Sequence, residues 1–209
     1  VKDELRNVLS GKSKVRFGEI IQTISSYLRK STRTSTAPKD SKLFKKQETE
    51  VLERFIAEKS LWIDDIDFSK YVSEGAEQKV YLKDDKHVIK LNDAIYYLSW
   101  IDYFHNLLLH NYFFSDTAYE LLGFTMDQNN VLYAVVQQTF VTVTTITDLQ
   151  EVKDFLAKNG FSNTRNHDYF NSELGIILED LHDENVLTNN GIPFFIDTVF
   201  YLTNEFWKD

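Results

Sequence analysis

Asp180, Asn185 and Asp197 stand in an order suited to the handling of phosphate. Glu179-Asp180-Leu181-His182-Asp183-Glu184-Asn185-Val186-Leu187 leads into a turn, and Phe194-Phe195-Ile196-Asp197 follows. Phosphoryl transfer asks a protein for little covalent chemistry. It needs a carboxylate beside the attacking hydroxyl and hard oxygen ligands that hold Mg²⁺ across the phosphates. The spacing D-x-x-x-x-N offers both, with Asp180 facing an acceptor hydroxyl and Asn185 giving a side-chain oxygen to the metal. Asp197 supplies a second metal ligand. Acidic loops with a nearby Asn are also common as solvated turns, so the motif takes its meaning from the elements around it.

Those elements are legible in outline. Val186-Leu187, Thr188-Asn189-Asn190-Gly191 and Ile192-Pro193-Phe194-Phe195-Ile196 read as strand, turn and strand, a hairpin that folds Asp197 back toward Asn185. Gly175-Ile176-Ile177-Leu178 is a short buried strand running into Asp180. Upstream, residues 71–92 form a hairpin turning at Asp84-Asp85-Lys86, with Gly75 near its first tip and Lys90 in its second strand. A lysine beside Val88-Ile89 in a strand is ordinarily solvent-facing. Residues 119–124 and 131–137 flank Asp127-Gln128-Asn129-Asn130 as a second hairpin. Thr147-Asp148-Leu149-Gln150 resembles a capping box opening a helix that Asn159-Gly160 closes. Two or three helices are expected in this last third.

The ordered set Gly75, Lys90, Asp180, Asn185 and Asp197 resembles the protein-kinase-like superfamily, and D-L-H-x-x-N its aminoglycoside and choline kinase branch. More narrowly, S-E-G-A-E-Q-K-V-Y, V-I-K-L, L-H-D-E-N-V-L and F-I-D-T resemble the polyvalent protein kinase domain of bacterial mobile elements, over roughly residues 50–205. The resemblance implies an α+β, two-lobed fold with ATP in the cleft, a small C-terminal lobe and an added N-terminal helical segment. It implies that Lys90 holds the α- and β-phosphates, that Asp180 is the catalytic carboxylate, and that Asn185 and Asp197 bind Mg²⁺. The backbone at Gly75 and Ala76 would cover the nucleotide, and Gln137-Gln138-Thr139-Phe140 would be the hinge to adenine. The corresponding divisions are a basic N-terminal segment and linker at 1–48, a first lobe at 49–141 and a reduced second lobe at 142–209.

Several features depart from the wider superfamily. The phosphate loop has one glycine, with Glu74 and Glu77 beside it, and Asp197 is followed by Thr198-Val199 instead of Phe-Gly. There is no A-P-E segment, so no activation loop or peptide-docking region of the usual kind is expected. The helix that should offer Lys90 a glutamate has Asp102 as its only acidic residue between Ala94 and Asn111; Asp102, or more distantly Glu120, is the expected partner.

Composition bounds the class. The 209 residues are 43% hydrophobic and 14% aromatic, enough for a packed core. With no cysteine there are no disulfides or thiolate metal sites, which fits a reducing cytoplasm. No signal segment opens the sequence, although it begins with Val and a trimmed leader stays open. Residues 94–114 approach the ~20 apolar residues of a membrane span. Asp102, His105, Asn106, His110 and Asn111 would be costly in lipid, so the expectation is a long helix packed on the sheet and no membrane.

The net charge of −9 is unevenly placed: residues 1–50 carry 12 Lys+Arg against 6 Asp+Glu, and residues 51–209 carry 11 against 26. No Lys or Arg lies between Lys90 and Lys153, which argues against nucleic acid on the acidic part and makes polyphosphate binding depend on a divalent metal. Helical spacing runs through Glu19–Leu28 and resumes at Val51-Leu52 and Phe55-Ile56, ending near Leu61-Trp62-Ile63. Between them Lys30–Ser41 is polar, basic and aperiodic, a linker or exposed loop. The basic segment suits an acidic partner, nucleic acid, the acidic part of its own chain, or simply water.

His182 shows no zinc-site spacing and is expected to order the catalytic loop by hydrogen bonding; Asp183 and Glu184 extend a Mg²⁺ site or are solvated turn residues. Three functions stay open. They are an ATP- and Mg²⁺-dependent phosphotransferase acting on a hydroxyl of a protein or small molecule, a nucleotide-binding pseudokinase or scaffold within a mobile-element protein, and a metal-binding structural domain without nucleotide.

Overall fold

The structure, a computed structural model, describes residues 1–33, 41–75 and 78–208. Three helices come first: α1 (Lys2–Ser10), α2 (Gly18–Arg33) and α3 (Ser41–Glu58). Gly11 ends α1 at φ 81°, where its N–H reaches back to the last turn of carbonyls, a conformation open to glycine at little cost. Helix α2 takes up Lys30 to Arg33, so the expected linker is shorter than its polar composition suggests, and residues 34–40 lie outside the described residues. The 48/49 boundary falls inside α3.

A five-stranded antiparallel sheet follows, built from β1 (Tyr71–Glu74), β2 (Gln78–Leu82), β3 (His87–Asn92), β4 (Glu120–Met126) and β5 (Leu132–Thr139) in the order β1-β2-β3-β5-β4. Both expected hairpins form, and Asp127 shapes the second turn by accepting from the N–H groups of Asn129 and Val131. The segment 61–63, expected as helix, is extended instead. Helix α3 stops at Glu58, Ser60 takes φ 54°, and Ile63 and Phe124 exchange main-chain bonds with Phe124 and Leu61.

Between β3 and β4 lies α4 (Trp100–Phe113), six residues shorter at its start than the apolar run. Asn92 and Asp93 bond the N–H groups of Ala94 and Ile95, and Ala94 has φ 56°, so the chain turns before helix can begin. Ser99 then caps the helix by accepting from Asp102 N at 3.0 Å. Most of α4 is buried, and its polar groups tie neighbours together: Asn106 accepts from Phe200 N, while Asn111 donates to the carbonyls of Arg16 and Tyr119. Among the described residues no helix is long and apolar enough to cross a membrane.

The last third is richer in strand than expected. It contains one α-helix, α5 (Leu149–Lys158), capped by the Asp148 carboxylate and followed by Gly160 at φ 82°. Strands β6 (Ser162–Arg165), β7 (Asp168–Asn171), β8 (Ile176–Glu179) and β11 (Val199–Leu202) form a sheet ordered β11-β8-β7-β6, and β9 (Val186–Asn189) pairs with β10 (Ile192–Phe195). Segments of four residues leave no room for helical periodicity, so the expected extra helices give way to strands. The whole is a mixed α+β fold.

One core runs from Leu5, Ile21 and Leu28 through Phe104, Leu108 and Phe124 to Leu178, Val186 and Phe206. Burying each such aliphatic side chain contributes about 1.5–3 kcal/mol, so α1 and α2 are integral to the fold. Helix α1 also clasps the far end of the chain, with Lys2 Nζ donating to Glu205 O at 2.6 Å and Arg6 to the carbonyls of Phe206 and Lys208. Part of the basic segment is thus spent on its own chain, on carbonyl groups.

Candidate active site

Asp180 follows β8 and Asp197-Thr198 precede β11; because Glu179 pairs with Val199, the two acidic positions leave the same end of one ladder. The β9–β10 hairpin closes the circuit: Ile196 N donates to Asn185 O at 2.9 Å and Asp197 N approaches it at 3.5 Å. This is the fold-back expected from the turn at Asn189-Asn190-Gly191.

Within the loop, Asn185 Nδ2 donates to Asp180 O at 2.8 Å and to Asp180 Oδ2 at 2.9 Å. That orientation leaves the amide oxygen for a cation. His182 Nδ1 accepts from Glu184 N at 3.3 Å, and its Nε2 lies 3.2 Å from Asn185 Nδ2 and 3.3 Å from Asp180 Oδ1. The histidine therefore orders the loop. Asp180 has φ 66°, a left-handed conformation that Asp adopts more readily than most residues, and its N–H donates to Asp168 Oδ1 at 3.2 Å. Asp168 sits just past the two-residue turn Asn166-His167. The sequence reading passed over it, although Asn as the first residue of a two-residue turn is a hairpin signal.

Lys90 comes from β3, where it pairs with Val136 of β5, and is 2% exposed. Its ammonium donates to Asp197 Oδ1 at 2.6 Å and to Ile196 O at 3.2 Å. Neither expected carboxylate is its partner. Asp102 accepts from Ser99 at the start of α4, with Lys45 as the cation that acts on it, and Glu120 accepts from Gln137. Where a helix glutamate was looked for, Tyr119 stands: its hydroxyl donates to Ile196 O at 2.5 Å and lies 3.1 Å from Asp197 Oδ1, and its ring centroid is 5.6 Å from the ammonium. Burial, and next the charge of Asp197, hold the Tyr119 hydroxyl protonated to well above the usual phenol range. No sequence signal marks this tyrosine beyond the general need of a buried phenol for a partner.

A cleft of about 570 Å³ opens over these groups, lined by Gly75, Asn92, Tyr97, Asp180, Asn185 and Asp197 among others. Asp168, Glu179 and Glu184 also line it; burial, then Asp168 and Asp180, raise the Glu179 carboxyl above its ordinary value. No Lys or Arg is among its described lining residues. Gly75 donates its N–H to Gln78 O at 2.8 Å, and Ala76 and Glu77 lie outside the described residues. Gln138 and Phe140 are not brought to this cleft. The Gln138 side chain is buried and donates to the carbonyls of Thr117 and Ile196, and Phe140 N donates to Lys86 O at 2.7 Å, extending the sheet through the segment expected as a hinge.

A strand lysine, a D-x-x-x-x-N loop and a further Asp after it form the residue set that kinases use. A family model described as a serine/threonine/tyrosine kinase found in polyvalent proteins matches residues 45–204. The chain belongs to this kinase family. The match takes in the five-stranded sheet, α4 and the whole loop from Asp180 to Asn185, and excludes α1 and α2. A search of curated proteins and a search of solved structures found no match.

The donor set fits Mg²⁺ shared with phosphate. Asp180, Asn185 and Asp197 offer hard oxygens, and among the described residues Asp197 Oδ2 has no protein partner. Mg²⁺ is typically held by one or two carboxylates plus substrate phosphates. Among the described residues there is no group of three His, Asp or Glu side chains that would hold a metal unaided.

Proposed function

We propose that the chain is an ATP- and Mg²⁺-dependent phosphotransferase whose acceptor is a hydroxyl of a protein or small molecule. The observation that carries this reading is that Asp180, Asn185 and Asp197, from the loop after β8 and the residues before β11, line one cleft, while Lys90 of β3 pairs with Asp197 from beneath it. ATP supplies the transferable phosphoryl group, and Mg²⁺ the positive charge that a cleft without lining Lys or Arg lacks.

In this reading the molecule has two lobes, the five-stranded sheet with α4 and the strand-rich last third, with the cleft between them. Asp180, held by Asn185, His182 and Asp168, would take the proton of the acceptor hydroxyl as its oxygen bonds to the γ-phosphorus and the bond to the bridging oxygen breaks, releasing ADP. Asn185 and Asp197 hold the metal, and Lys90 neutralises charge on the phosphates. Backbone at Gly75 borders the nucleotide. The lack of cysteine suits a reducing, ATP-containing compartment such as the cytoplasm.

Thermal unfolding with ATP, with and without Mg²⁺, is the first test. At a hundredfold excess over Kd a bound ligand adds about 2.7 kcal/mol, or about 5–10 °C for a domain of this size. The shift is expected only with metal and is lost in Lys90→Ala and Asp197→Ala; no shift at saturating Mg²⁺ and ATP would reject the nucleotide site. A second reading, a nucleotide-binding scaffold, is favoured by the closed Lys90–Asp197 pair and the absence of a carboxylate from α4 at Lys90. Binding with no ATP hydrolysis and no transfer across a panel of protein and small-molecule alcohols would select it.

A further inference from the structure

The segment carrying Asp197 is held at successive residues by a buried polar network. Thr117 Oγ1 donates to Phe195 O, and His110 Nδ1 lies 2.6 Å from Thr198 Oγ1. Between these, the carbonyl of Ile196 receives three donors: Lys90 Nζ at 3.2 Å, Tyr119 OH at 2.5 Å and Gln138 Nε2 at 2.9 Å. A carbonyl has two lone pairs, so three donors concentrate polarity at a point one residue from the proposed metal ligand.

A kinase strand lysine ordinarily keeps its angle through a helix glutamate. Here α4 offers none, because Asp102 is occupied with Ser99 at the helix start. The two side chains that share both of the lysine's acceptors, or one of them, come instead from β5 and from just before β4. Tyr119 meets Ile196 O and Asp197 Oδ1, and Gln138 meets Ile196 O. Both are buried; Tyr119 forms part of the cleft lining and Gln138 stands behind it. Gln138 is itself anchored by donating to Thr117 O at 2.7 Å.

We propose that Tyr119 and Gln138 are positioning residues that fix the Asp197 carboxylate and the Lys90 ammonium for metal–nucleotide binding, in place of a helix glutamate. They do so through the Ile196 carbonyl and, for Tyr119, through Asp197 Oδ1. This rests on the phosphotransferase reading, since it concerns the metal ligand of that same site. With both residues in place, Asp197 is held toward the cleft without any segment after it having to be ordered.

The test is the Mg²⁺ concentration that half-saturates the ATP-induced thermal shift, in the full chain and in Tyr119→Phe, Gln138→Met and Thr117→Val. Tyr119→Phe removes one hydroxyl and leaves the ring over Lys90; Gln138→Met keeps length and removes the amide. Both are expected to raise the half-saturating Mg²⁺ on the order of tenfold, the effect of losing one hydrogen bond to a charged or strongly polarised group. Thr117→Val removes a hydroxyl that meets Phe195 O, Phe114 O and His110 Nε2 but neither Ile196 O nor Asp197; it should lower the unliganded melting temperature and leave the Mg²⁺ requirement unchanged. If Tyr119→Phe does not fold, Gln138→Met makes the same comparison. Unchanged Mg²⁺ dependence in the folded variants, or an equal rise in Thr117→Val, overturns the proposal. Absence of any shift in the unmodified chain overturns the nucleotide site itself, a different failure.

Discussion

Lys90 Nζ lies 2.6 Å from Asp197 Oδ1, joining residues 107 positions apart in a pair whose lysine is almost wholly buried. Removing one partner of such a pair leaves an uncompensated charge and costs about 3–5 kcal/mol, less where the charge left behind is Asp197, whose side chain is 21% exposed and open to water. Without nucleotide, Asp197→Ala is expected to lose roughly 3 kcal/mol and Lys90→Met clearly less, measured by urea unfolding. The reverse order would show that Lys90 is not carrying a buried charge.

Asp180 separates turnover from stability. Asp180→Asn removes the base and should lower transfer by about 10²–10⁴-fold while the Mg²⁺–ATP thermal shift persists. Asp180→Gly should abolish transfer equally yet be more stable than Asp180→Ala by about 1 kcal/mol, because φ 66° suits glycine and strains alanine. Calorimetry of the three variants, beside an ADP-release assay, checks both halves.

Glu48 gives the fold a pH dependence distinct from catalysis. It is fully buried on α3 and accepts from Trp100 N at 2.5 Å and Ile101 N at 3.3 Å, meeting two donors at the start of α4. Burial raises its carboxyl to about 7 despite those bonds; Asp102 pushes the same way and Lys45 opposes it. A folded-state value above the unfolded one means the native state holds the proton longer. Stability from this group is therefore full below the unfolded value near 4.5 and falls as pH rises to about 7. The loss amounts to roughly 3 kcal/mol at most. In Glu48→Gln that fall should vanish, so the melting-temperature difference between unmodified chain and variant shifts toward the variant from pH 5 to 8. A difference independent of pH would show that Glu48 stays charged.

Gly123 tests how α3 is joined to the sheet. A Cβ there would stand 2.3 Å from Leu61 O, a main-chain atom held by its bond from Phe124 N. Gly123→Ala should cost about 1–3 kcal/mol by overpacking and speed amide exchange at Ile63 and Phe124 first.

The acidic half of the site was legible because it is local: Asp180, Asn185 and Asp197 fall within one loop and one hairpin, and turn residues announce both. Lys90 was legible as a strand residue in a V-I-K-L context. Its partnership was not, since it depends on the α4 start being set by Ser99 and on the course of the chain at Tyr119, both tertiary matters. The course of the chain at residues 137–140 was not legible for a similar reason. Nothing in Gln-Gln-Thr-Phe says that β5 continues to Thr139 or that the Gln138 amide turns into the core. In the last third, four-residue strands such as Asp168–Asn171 are too short for a two-residue period to stand out, and only the Asn166-His167 turn could have given the hairpin away.

The clasp of α1 on residues 205–208 has a topological consequence. After Lys2 the chain travels through three sheets and returns at residues 205–208 to within hydrogen-bond reach of α1. Each of these two segments is thus held by the other, so that loosening residues 205–208 should free α1 as well.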